Sequence, residues 1–82
     1  MSRAREVVEV IGQELTDYPD DVVVTETERA DGTHVELTAA VGDLGKLIGR
    51  QGRTAAAVRT LAIAAGELEG LRVNVDFSDK RE

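Results

Sequence analysis

The stretch KLIGRQGRTAAAVRTLAIAAG, Lys46 to Gly66, decides how this chain is read. Gly49 and Gly52 enclose Arg50 and Gln51, and apolar residues recur at helical spacing on both sides. Two helices joined by a tight Gly-x-x-Gly turn satisfy that pattern, one over 43–48 and one over 53–65. Gly66 then fits as the C′ residue that ends the second helix. The paired glycines let the backbone turn sharply and let a ligand approach without a Cβ in the way. The turn also lies at the N-terminus of the longer helix, where N–H groups and the helix dipole favour anions.

The same stretch is purely basic, through Lys46, Arg50, Arg53 and Arg59. The whole chain is acidic, with 10 Lys+Arg against 16 Asp+Glu and a formal charge of −6. Residues 44–66 carry +4, so the remainder carries −6 − 4 = −10. A net −6 by itself argues against non-specific binding to a polyanion. Segregation of the charge confines an anion site to this one island, and a phosphodiester backbone suits it.

Outward from the island the chain organises as one domain. Its 82 residues bury only about 60% of the unfolded surface and supply a modest core. With no Cys there is neither a disulfide framework nor a thiolate metal site. The Met-Ser-Arg-Ala-Arg start lacks a signal-peptide apolar region, and no apolar run approaches the roughly 18 residues of a membrane span. A cytoplasmic protein without a membrane segment is expected.

Residues 4–18 read as an amphipathic helix with Ala4, Val7, Val8, Ile11, Leu15 and Tyr18 on one stripe, stopped by Pro19. Residues 22–41 read as a hairpin around Ala30-Asp31-Gly32. An Asp-Gly two-residue turn sets Glu26 and Glu28 on the apolar face. A three-residue loop instead places Val23, Thr25 and Thr27 beside Ala39, Leu37 and Val35, leaving Glu26, Glu28, His34 and Glu36 outside. The three-residue loop is therefore preferred, with Gly32 in a left-handed position. Leu71, Val73, Val75 and Phe77 alternate as a last strand, and 78–82 read as a frayed tail. The order helix, strand, strand, helix, helix, strand predicts an α+β fold of two layers, three strands packed on one side by three helices.

With that order in place, LIGRQGRTAAAVRTL resembles the signature of the KH family of RNA-binding domains, in its type II (prokaryotic) topology. Over nearly the whole chain the sequence is similar to small bacterial single-KH proteins of the KhpA type. The resemblance implies that Gly49, Arg50, Gln51 and Gly52 clamp the backbone of about four unpaired nucleotides. It places Lys46, Ile48 and Arg53 beside that site, with Leu47, Val35 and Leu37 as groove or floor. The scarcity of aromatics, one Tyr and one Phe, fits a groove that does not rely on aromatic stacking. Ala55 stands where KH domains usually carry a larger aliphatic, implying a shallower groove or a looser core. Only four basic side chains can meet phosphates, so affinity should be modest and salt-dependent.

The helix over 53–65 offers a second surface. Ala55, Val58, Leu61, Ala62 and Ala65 form its core stripe, while Ala56, Thr60 and Ile63 face away with Arg59 at the flank. The family resemblance implies homodimerisation or pairing with a KhpB-like KH protein, and these residues are the expected interface. It also implies RNA chaperoning or post-transcriptional regulation, with links to cell division and cell shape. The rival is a degenerate KH module acting only in protein–protein interaction. Catalysis is not expected. His34, the only histidine, is expected on a solvated strand face opposite Glu28, and no cofactor or metal site is suggested.

Overall fold

The computed structural model describes residues 2–80, and the element order is the expected one. Helix α1 spans Arg3–Leu15, strands β1 and β2 span Val23–Arg29 and Gly32–Ala39, and helix α2 spans Leu44–Ile48. Helix α3 spans Arg53–Glu67 and strand β3 spans Val73–Asp79. β1 pairs antiparallel with β2, and β2 pairs parallel with β3, giving a sheet in the order β1-β2-β3. This is an α+β fold with the type II KH topology.

α1 begins because the Ser2 hydroxyl accepts from the Arg5 amide at 3.1 Å, satisfying an otherwise orphaned donor. It ends at Leu15, earlier than the expected 18, and Tyr18 points outward. Its buried line is Ala4, Val8 and Gly12. Gly12 is there because a Cβ would stand 2.5 Å from Leu37 Cδ1, so the glycine lets α1 press onto the sheet. Val22, Val24, Val35, Leu37, Ala39, Leu47, Val58, Ala62, Val73 and Val75 complete the core, with Ile11, Leu71 and Phe77 partly buried against it.

The hairpin register differs from the expectation. Arg29 pairs with Gly32, Glu28 with Thr33, Glu26 with Val35 and Val24 with Leu37, so only Ala30 and Asp31 form the loop. Glu26 and Glu28 therefore share the face of Val24, while Val23, Thr25 and Thr27 turn to solvent. The cost of placing acids there is offset locally. Glu26 accepts from the Ser2 amide at 3.2 Å and its hydroxyl at 2.5 Å, at the positive end of α1. Glu28 accepts from the Thr33 hydroxyl at 2.7 Å. Gly32, at φ +133°, is required by a close approach, because a Cβ would lie 2.5 Å from the Arg72 carbonyl oxygen. His34 lies opposite Thr27, not Glu28, and is 2.9 Å from Asp31.

Three expectations near the C-terminus also change. Gly66 is buried inside α3, and a Cβ there would overlap Val73, so the glycine sets the helix–strand approach. Gly70, at φ +71°, makes the turn instead. Leu61 is 53% exposed, because the buried line of α3 is Ala55, Val58, Ala62 and Gly66. Ser78 and Asp79 belong to β3, which starts at Val73, and Lys80 donates its amide to Ala39, so the expected frayed tail is ordered to that point. The last two positions of that tail, Arg81 and Glu82, lie outside the described residues.

Candidate nucleic-acid interface

Leu47 anchors the end of α2 in the core, and the chain leaves the helix through Gly49 at φ 75°, ψ 174°. That region is essentially restricted to glycine. Arg50–Gly52 form a single tight turn in which Gln51 (φ 58°, ψ 22°) and Gly52 (φ 73°, ψ 14°) are both left-handed. Gln51 is the only described non-glycine residue with positive φ. The backbone changes hand between Arg50, whose φ is negative, and the left-handed Gln51, the alternation with which successive amides can turn toward one anion. Gly52 supplies no side chain to cap α3, so the positive end of that helix is not neutralised locally.

Arg50, Gln51 and Arg53 are exposed around this turn. Among the described residues, no carboxylate pairs with Arg50 or Arg53. Lys46 behaves differently. Its ammonium contacts the Asp17 carboxylate and lies 3.6 Å from Asp43. The Asp17 hydrogen bond, with the charges of Asp17 and Asp43, raises the Lys46 pKa above its ordinary value. Asp43 is itself only 2% exposed and accepts from the amides of Asp17 and Tyr18 at 3.3 and 3.1 Å. This carboxylate ties the α1–β1 connection to α2 and engages the cation that the sequence placed beside the turn.

The structure also sorts the apolar candidates. Leu47, Val35, Leu37 and Ala55 are buried core, whereas Ile48 is half-buried beside the turn. Ala56, Thr60 and Ile63 are exposed on α3, and the Thr60 hydroxyl donates back to the Ala56 carbonyl at 3.0 Å. Arg59 leaves that outer face. Its Nε donates to the Val75 carbonyl at 3.1 Å, and its guanidinium lies over Phe77, 5.4 Å from the ring centroid. Sequence reasoning missed the exposure of Leu61, which joins Val10 and Leu68 among the large apolar side chains left outside. Its signal was available: the small residues Ala62 and Gly66 mark where a helix can sit closest to a sheet.

A family model for the KH domain of KhpA and KhpB matches residues 5–77. The chain belongs to the KhpA/KhpB KH-domain family. An RNA-binding protein KhpA of Halalkalibacterium halodurans is 44% identical over 73 residues, covering 89% of this chain and 96% of the relative. That of Aquifex aeolicus is 44% identical over 77 residues, covering 94% and 98%. That of Chlamydia trachomatis is 34% identical over 77 residues, covering 94% and 99%. Among solved structures, a GDP·AlF4-bound Era variant of Aquifex aeolicus superposes with a TM-score of 0.72 at 19% identity. The match covers 96% of this chain and 31% of that one, and it shows a shared fold. Among the described residues no helix is long and apolar enough to cross a membrane.

Proposed function

We propose that this KH domain binds single-stranded RNA by gripping its phosphates at Gly49–Gly52. The observation that carries the reading is the left-handed turn at the uncapped start of α3, flanked by Arg50 and Arg53 without a partnering acid among the described residues. The amides of Arg50 and Gln51, the two guanidinium groups and the half-buried Ile48 form the contact. Lys46 is left out of it, because Asp17 and Asp43 already hold its charge. The relatives' shared description as RNA-binding proteins supports the same reading. Amide chemical shifts followed during titration with a short uridine oligomer test it. The largest changes are expected at 49–54, and changes confined to other parts of the chain overturn the assignment.

The second part of the reading is association. Between the exposed Arg53 and Glu67, the outward side of α3 carries Ala56, Ala57, Thr60, Leu61, Ile63 and Ala64, all exposed and all uncharged. A second copy, or a KhpB-like KH protein, can pack against that surface, with Arg59 at its rim. Two linked clamps then raise affinity for a single RNA through effective concentration. The cellular role that follows is RNA chaperoning or post-transcriptional control in the cytoplasm.

A further inference from the structure

On each free edge of the sheet an arginine from the helix above bonds one strand carbonyl. On the β1 edge, Arg5 Nη2 donates to the Val24 carbonyl at 3.1 Å. On the β3 edge, Arg59 Nε donates to the Val75 carbonyl at 3.1 Å. Such a plug hinders edge-to-edge pairing, which suffices to account for Arg5. Its charge is also balanced, with Glu9 at 3.9 Å and Glu26 close enough for Arg5 to help lower its pKa. Arg59 is unlike it. Among the described residues no carboxylate pairs with Arg59, and its neighbour is the Phe77 ring.

The position of Arg59 matters as much as its charge. α3 and β3 run in opposite directions, Gly66 lying against Val73 while Arg59 reaches Val75 and Phe77. Their seam leads from the Gly49–Gly52 turn, past Arg59, to an open cleft of about 550 Å³ bordered by Ile63, Leu71 and Val73. Arg72 accepts from Thr33, and Lys80 donates to Ala39, so the even-numbered residues direct their backbone groups at β2. Val73, Val75 and Phe77 therefore direct theirs at the open edge. Arg59 follows Gly52 by seven residues, or roughly 10 Å of helix. A base attached to a phosphate near the turn can reach it.

We propose that Arg59 reads a base in this seam and favours guanine. The inference rests on the RNA-clamp reading above. With Nε held by Val75 and the guanidinium supported by Phe77, Nη1 and Nη2 are the donors left to face an incoming base. Two donors in a fixed fork match the adjacent O6 and N7 acceptors of guanine, whereas adenine offers an acceptor beside a donor at that edge. A planar fork already held in place loses little freedom when it engages.

The test titrates a short uridine oligomer, and the same oligomer with one guanosine, at two salt concentrations. It uses the wild type, Arg59→Lys, Phe77→Leu and the control Arg5→Lys, each checked for fold by circular dichroism. The wild type and Arg5→Lys should prefer the guanosine oligomer by on the order of 10-fold. Arg59→Lys should erase the preference while keeping uridine affinity and salt slope, and Phe77→Leu should reduce it. If Arg59→Lys does not fold, Phe77→Leu decides alone. A preference retained in the folded variants, or absent from the wild type, overturns the assignment. Equal loss on both oligomers with a shallower salt slope also overturns it, making Arg59 a phosphate contact. Wild-type protein that binds neither oligomer overturns the clamp itself, a result distinct from loss of base preference.

Discussion

Gly49 is the residue on which the turn depends. Its φ 75°, ψ 174° conformation excludes side chains on backbone grounds, and a Cβ would overlap Thr54 besides. Gly49→Ala is expected to cost about 3 kcal/mol in urea unfolding. Gly52 is also left-handed, but a Cβ there meets nothing within 4 Å, so Gly52→Ala should cost only about 1 kcal/mol. Equal losses at the two positions contradict the turn geometry. Glu26 gives a pH signature. The Ser2 hydroxyl bond, more than the Ser2 amide and the nearby positive charges, brings its pKa below the ordinary 4.5. Its contribution is therefore fully present above that value and is lost as pH falls through the lower folded one. Glu26→Gln should reduce stability near neutral pH by about 1 kcal/mol, and the deficit should shrink on acidification below pH 4 or so. A deficit unchanged by acid assigns it to packing instead.

At the scale of elements, two glycines in helices predict opposite signs. Gly45 lies in α2 with open space around it, so Gly45→Ala should stabilise by roughly 0.5–1 kcal/mol. Gly66 lies against Val73, and Gly66→Ala should destabilise by roughly 1–3 kcal/mol as α3 is forced off β3. Denaturation midpoints of the two variants moving in the same direction contradict this packing. The identity and order of the elements were legible, because 3.6-residue and two-residue periods are written plainly in 4–18, 53–65 and 71–77. The hairpin register was not. Its resolution depends on Ser2 meeting Glu26 across 24 residues and on Thr33 meeting Glu28, contacts that a face-counting rule does not contain. The burial of Gly66 and the exposure of Leu61 escaped for a related reason. Hydrophobicity ranks leucine inside, but the distance between α3 and the sheet is set by the smallest residues.

For the whole molecule, the Gly-x-x-Gly turn and its flanking arginines were legible from spacing and charge, since both are local. The pairing of Lys46 was hidden, because its partner Asp17 is 29 residues away. Placement of Arg59 on the β3 edge required the register of α3 on the sheet. The uncharged middle of the outward face of α3 supports the proposed association, so Leu61→Glu should shift the sedimentation coefficient to that of an 8.8 kDa monomer. A dimer that survives the substitution places the interface elsewhere.

The proposed clamp puts RNA phosphates on the Gly49–Gly52 turn. Its most direct test is a salt-series titration of a short unstructured RNA against the wild type and Gly52→Asp. The variant introduces a carboxylate where nothing lies within 4 Å of a Cβ, at a left-handed position that Asp adopts at a cost of about 1 kcal/mol. With two or three phosphates neutralised per chain, wild-type log affinity should fall with log salt at a slope of about −1.5 to −2. Gly52→Asp should stay folded and lose binding at every salt concentration. A folded Gly52→Asp that binds with wild-type affinity and slope contradicts the claim and leaves the turn a purely structural connection.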